Sequence, residues 1–146
     1  MTMDRSDFEG AKLILLLGGL LAVLRRDDVH GLPFRGMLDL PGGMREPGET
    51  PETCALRETR EELGLEVAPD RLVWRRLYTA PRRAWFFAAH LPRHNARHIR
   101  LGEEGQGWML MRPQAFITSR EAVPHFRPRV RHYLAARQGA RLDMSI

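Results

Sequence analysis

The chain has 146 residues, of which 43% are hydrophobic, and a formal net charge of +5. That is enough apolar material for one compact domain over residues 1–146 without cross-links, and the lone cysteine, Cys54, excludes an intrachain disulfide and fits a reducing cytoplasm. The positive charge is almost all arginine, with Lys12 the only lysine, and it suits polyanionic small ligands; a nucleic-acid binder calls for a concentrated basic face, whereas these arginines are spread from Arg5 to Arg141.

The most apolar stretch, residues 13–24, is too short to span a bilayer and is interrupted by Gly18-Gly19. It predicts a hairpin of two strands, 12–17 and Leu20–Arg25. The preceding residues carry Asp4, Asp7 and Glu9 instead of a basic leader, so neither export nor a membrane anchor is expected. A loop over 27–35 and a short strand near 38–40 follow.

Helix signals come next. Thr50 suits an N-cap, Pro51 the first helical position and Gly64 the C-terminal stop, which implies a helix of about thirteen residues. At roughly 100° per residue, Glu58, Glu61 and Glu62 share about a third of the circumference, while Ala55, Leu56, Thr59 and Leu63 form a separate core-facing sector. Crowded carboxylates repel one another unless a cation compensates, and Mg²⁺ or Mn²⁺ is the usual oxygen-liking compensator. The plain alternative is a solvated face with an Arg57–Glu61 pair. The helical angle of Cys54 places it near the acidic side, and it is assigned no role.

Beyond the helix the pattern predicts strands at Leu72–Tyr78 and Ala84–Leu91, a polar linker over 92–98, a strand pair near 99–101 and 108–111, and helices at Pro113–Thr118 and 127–138. Strands interleaved with two substantial helices suggest an α/β sandwich. The basic run 127–137 reads as a solvated helix surface. Phe34, Tyr78, Trp85, Phe87 and Trp108 are candidates to stack on a base, against the alternative of filling the core. Trp85 and Phe87 alternate with Phe86, so only one of the two sets can line a pocket. Arg35, Arg82 and Arg83 lie in turns and are candidates to grip phosphate, with Arg35, Arg82 and Trp85 carried forward as substrate-binding residues.

Across residues 43–65 the chain reads GMREPGETPETCALRETREELGL, with Gly43, Glu49, Arg57, Glu58, Glu61, Glu62 and Gly64 at fixed intervals. Under average residue usage those seven positions coincide by chance on the order of once in a million chains of this length. The segment resembles the Nudix box, G-x5-E-x7-R-E-U-x-E-E-x-G-U, where U is bulky and aliphatic; Thr59 at the first U is the one departure. The box covers 23 of the 146 residues, and the flanking LDLPGG resembles the family as well.

The resemblance implies a Nudix-type α/β/α sandwich with a mixed sheet and a loop–helix–loop motif. It also implies Mg²⁺ or Mn²⁺ held by Glu58, Glu62 and the Gly42 carbonyl, with Glu61 as a further or water-mediated ligand. Gly42 and Gly43 would let the backbone approach the ion, and a Glu49–Arg57 pair would brace the loop. A further carboxylate is expected from GEEGQGW: Glu104 first, Glu103 second, or neither if both merely solvate a Gly-rich turn. The general base is left as Glu61 or Glu104, and Glu58 is counted with them in the catalytic group. The expected activity is hydrolysis of a phosphoanhydride in a nucleoside diphosphate linked to another moiety, a nucleoside triphosphate or a nucleotide sugar. Its alternatives are an RNA 5′-end pyrophosphohydrolase and a non-catalytic nucleotide sensor. The expected partner is a nucleotide-type small molecule, without membrane or nucleic acid; a homodimer is left open.

Overall fold

The apolar stretch folds as β1 (Gly10–Leu17) and β2 (Leu20–Arg25), joined by a two-residue turn in which Gly18 and Gly19 both take positive φ. The strands pair only beside that turn, at Leu16–Leu21 and Leu17–Leu20. Farther on they diverge, and the fork is filled by the next segment: β3 (Leu38–Asp39) pairs with the end of β2, and β4 (Gly42–Met44) with the start of β1. The sequence shows no strand at β4, because two glycines and a methionine carry no alternation. The exposed hydrogen-bonding edge of β1 is what makes them one.

The structure is a computed structural model and describes residues 7–145. On the other edge of β1, β6 (Ala84–Leu91) runs parallel from Gly10–Ala84 to Leu17–Leu91, and β5 (Leu72–Tyr78) lies antiparallel outside it. β7 (Gly107–Met111) pairs antiparallel with β2. Among the described residues the sheet therefore has seven strands and mixed direction.

Side chains alternate across β1, so Leu13, Leu15 and Leu17 pack toward helix α1 (Pro51–Leu63) and Ile14 and Leu16 toward α2 (Pro113–Thr118) and α3 (Phe126–Ser145). Two apolar layers result, one on each face of the sheet. Each leucine fully buried there contributes roughly 1.5–3 kcal/mol.

α1 starts and stops where its sequence signals lie. The Thr50 hydroxyl accepts from the Thr53 N–H at 3.1 Å, Pro51 is the first residue, and Gly64 closes the helix at φ 70° with its N–H on the Arg60 carbonyl. The buried face comprises Pro51, Cys54, Ala55, Thr59 and Leu63, with Leu56 only partly covered. Thr59 fits its apolar surroundings because its hydroxyl donates to the Ala55 carbonyl at 2.8 Å. Cys54 lies in the core with its Sγ 3.6 Å from the Gly43 carbonyl, and burial first, then the Glu49 carboxylate, pushes its thiol up to about 11.

Residues 99–101 form no strand. The Arg100 and Gly102 N–H groups donate instead to the last carbonyls of α1, those of Leu63 and Glu62, at 2.8 and 2.9 Å. The expected linker over 92–98 contains a 3-10 turn, Arg93–His98, and a second such turn precedes β5 at Pro69–Arg71. α3 runs longer than the 127–138 expected. Among the described residues no helix is long and apolar enough to cross a membrane.

Candidate active site

β4 lies in the fork of the hairpin with α1 packed across it, so two glycines meet the acidic side of the helix. Gly42 has φ 135°, a region open to glycine, and a Cβ there would strike the Ala11 carbonyl. Its N–H donates to Glu62 Oε1 at 2.7 Å. A Cβ on Gly43 would stand 2.7 Å from the carboxyl carbon of Glu58. The glycines thus leave room for two carboxyl groups to lie against backbone.

Burial pushes the Glu62 carboxyl up to about 8, an effect offset in part by the Lys12 ammonium and the Gly42 N–H. Glu58 is raised for the same first reason, against the hydrogen bond from Arg57. Lys12 reaches into the fork from β1, where its ammonium donates to Asp39 Oδ1, the Leu40 carbonyl and the Gly42 carbonyl at 3.0, 3.1 and 3.0 Å.

Arg57 organises the loop. It forks onto Glu49 at 2.6 and 3.0 Å, reaches Glu58 and Glu61 at 3.0 Å each, and donates to the Met44 carbonyl at 3.0 Å. The guanidinium beside Glu49 holds that carboxyl below its usual range, and Glu49 Oε1 also accepts from the Glu46 N–H at 2.7 Å. The loop is therefore tied to the helix through one side chain.

A cavity of about 950 Å³ opens over these groups. Glu58, Glu62, Gly42 and Gly43 line one side, Arg25, Asp27 and Glu104 another, and Phe34, Phe86, His125 and Phe126 supply aromatic surface.

A family model for the NUDIX domain matches residues 10–134. The chain belongs to the Nudix family. A MutT-like protein of Streptomyces ambofaciens is 46% identical over 55 residues, covering 38% of this chain and 31% of that protein. The chain spans about a third of the length of the curated relatives it matches. Among solved structures, a mutT/nudix family protein from Listeria innocua superposes with a TM-score of 0.74 at 18% identity, covering 93% of this chain and 97% of that one. An Ap4A hydrolase of Caenorhabditis elegans gives 0.68 at 22%, covering 90% and 99%. These likenesses bear out the Nudix-type α/β/α sandwich expected from the box.

Against this Nudix frame the predicted residues divide. Gly42, Gly43, Glu58, Glu62, Glu104 and Arg82 all border the cavity, and Glu49 and Arg57 pair with each other at 2.6 Å. Glu103 is not on the cavity wall; Glu104 is. Glu61 is 53% exposed and turned to Arg57, outside the lining, so the expected trio of carboxylates is not gathered. Trp85 faces the α1 layer, stacked on Phe87 at 6.3 Å, because alternation along β6 gives the cavity to Phe86 instead. Arg35 pairs with Asp28 at 3.4 Å and lies off the cavity.

Among the described residues no three His, Cys, Asp or Glu side chains converge to hold an ion by themselves. The donor set still fits a hard cation when backbone is counted: two raised carboxyls, with the Gly42 carbonyl already accepting from an ammonium and keeping a second lone pair. Water would complete the shell.

Residues that the sequence reading passed over in this Nudix cavity include Lys12, Arg26, Asp39, His125 and Arg129. One signal was available: Lys12 is the chain's only lysine and interrupts an apolar strand.

Proposed function

We propose that this Nudix domain is a Mg²⁺- or Mn²⁺-dependent hydrolase that cleaves a phosphoanhydride bond in a nucleoside diphosphate linked to another moiety. A nucleoside triphosphate and a nucleotide sugar are the substrates considered. One observation carries the reading: a buried carboxyl, Glu62, stands beside Glu58 and a glycine carbonyl on the wall of a nucleotide-sized cavity. Such a group is stable either protonated or against a cation.

Glu58, Glu62 and the Gly42 carbonyl would hold the ion. When bound, it neutralises phosphate charge and lowers the pKa of a coordinated water. Glu104, on the cavity wall, is favoured over Glu61 as the group that would accept the proton of an attacking water, because Glu61 lies outside the lining. Arg57 and Glu49 act by positioning: they hold the loop so that Gly42 and Gly43 stay against the helix.

Chromatographic identification of the products from a panel of nucleoside triphosphates, dinucleoside polyphosphates and nucleotide sugars with Mg²⁺ or Mn²⁺ tests the activity: a shorter nucleotide with phosphate or pyrophosphate from the first, two nucleotides from the second, and a nucleoside monophosphate with a sugar phosphate from the third. Glu62→Gln should abolish turnover while the melting curve stays cooperative. Turnover retained in that variant removes Glu62 from the mechanism, and no turnover of any substrate by the wild-type protein leaves a binding protein.

A further inference from the structure

Among the described residues, five lysine and arginine side chains line the cavity: Lys12, Arg25, Arg26, Arg82 and Arg129. The protein matches three of them itself. Lys12 lies 3.0 Å and Arg26 3.1 Å from Asp39, and Arg25 lies 3.1 Å from Glu121. Arg82 and Arg129 have no carboxylate of the described residues within ion-pair distance.

Arg129 is the more demanding case. It is 5% exposed, and one of its five donors is placed on the Ala80 carbonyl at 2.7 Å. Its guanidinium carbon stands 4.3 Å from the ring centre of Tyr78 and 4.8 Å from that of Phe86. The rings fix the guanidinium and offset part of its desolvation, but they bring no negative charge. It also sits in the first turn of α3, where the helix dipole adds to the positive potential. A buried, rigid cation without a counter-charge, bordering a cavity, is a receptor for an anion.

Arg82 extends that receptor toward the carboxylates. It follows Pro81 in the β5–β6 turn, and its Nη1 lies 3.5 Å from Met44 Sδ, next to Gly43. The loop on another wall is different in kind: Val29, Leu32 and Phe34 are exposed and apolar, with Phe34 5.4 Å from His125. That wall suits a base.

We propose that Arg129 and Arg82 form an anion subsite that receives the terminal phosphate of a polyphosphate chain, so that the substrate is a nucleoside polyphosphate and not a nucleotide sugar. A neutral sugar in that place leaves both arginines unpaired. The choice of substrate rests on the hydrolase reading; the subsite itself does not.

Calorimetric titration of the full chain with inorganic tripolyphosphate in EDTA isolates the arginines, because no metal is present to bind phosphate at Glu58 and Glu62. Binding is expected to weaken with salt, to fall about tenfold or more in Arg129→Gln and several-fold in Arg82→Gln, to recover in part in Arg129→Lys, and to persist in Glu62→Gln. Wild-type protein that binds no tripolyphosphate, or a folded Arg129→Gln that binds it equally well, overturns the proposal. If Arg129→Gln does not fold, the exposed Arg82→Gln decides by the same criterion. With Mg²⁺, Arg129→Gln should raise KM for a nucleoside triphosphate about tenfold and affect a nucleotide sugar far less; equal loss on both refutes the substrate assignment. Tripolyphosphate binding without turnover of any substrate keeps the subsite and rejects the hydrolase.

Discussion

Burial keeps the Glu62 carboxyl protonated in the fold up to about pH 8, whereas its unperturbed value is 4.5. Between those values the folded state holds a proton that the unfolded state has released, so the metal-free protein loses stability as pH rises through that window; below 4.5 the contribution is fully present. In EDTA, the melting temperature of the wild-type protein should fall more steeply between pH 5 and pH 8.5 than that of Glu62→Gln. The difference is on the order of a few kcal/mol, and parallel slopes would show that Glu62 is ionised in the fold. Glu49 works in the opposite sense: Arg57 lowers it, so its contribution is present above 4.5 and is lost as pH falls. The Glu49–Arg57 pair was implied by the resemblance of residues 43–65 to the Nudix box, and the structure forms it at 2.6 Å. Lys12 and Asp39 are 27 apart, and they meet only because β3 enters the fork of the hairpin, an event with no local signal.

At the scale of elements, α1 was readable to the residue because its boundaries are local chemistry: a hydroxyl cap, a proline and a left-handed glycine. β4 was not, although it brings Gly42 and Gly43 against Glu62 and Glu58. Its two glycines are needed for space. Gly43→Ala would place a Cβ 2.7 Å from the Glu58 carboxyl carbon and force that group away from the backbone. Since φ at Gly43 lies outside the left-handed region, the chain itself tolerates alanine there. Divalent-ion affinity should therefore drop about 10–100-fold in Gly43→Ala with little change in melting temperature in EDTA. An ion affinity equal to wild type would take Glu58 out of the ligand set. The false strand at 99–101 has the same origin as the missed one: extended backbone shows in a sequence, but its hydrogen-bond partner does not, and here the partner is the end of α1.

At the scale of the whole molecule, the sheet separates two apolar layers, and the cavity reaches from the fork of the hairpin to the first turn of α3. Phe86, His125 and Arg129 come to it from β6 and from the start of α3, segments far apart in sequence, so nothing local distinguished Phe86 from Trp85, which was carried forward as a substrate-binding residue. The carboxylates belong to α1 and the glycines to β4, so the proposed ion site would exist only in the folded chain, and an ion bound there would stabilise the fold by mass action. At 100 times its dissociation constant the gain is about 2.7 kcal/mol, or about 5–10 °C for a domain of this size. Binding also displaces the proton held by Glu62, so the shift produced by Mg²⁺ or Mn²⁺ should be larger at pH 8.5 than at pH 6, with proton release in calorimetry at the lower pH. Thermal melts with and without the ion, at both pH values, read this directly. A shift present in the wild-type protein and absent in Glu62→Gln ties global stability to one buried carboxyl, whereas a shift equal in both places the ion elsewhere on the chain.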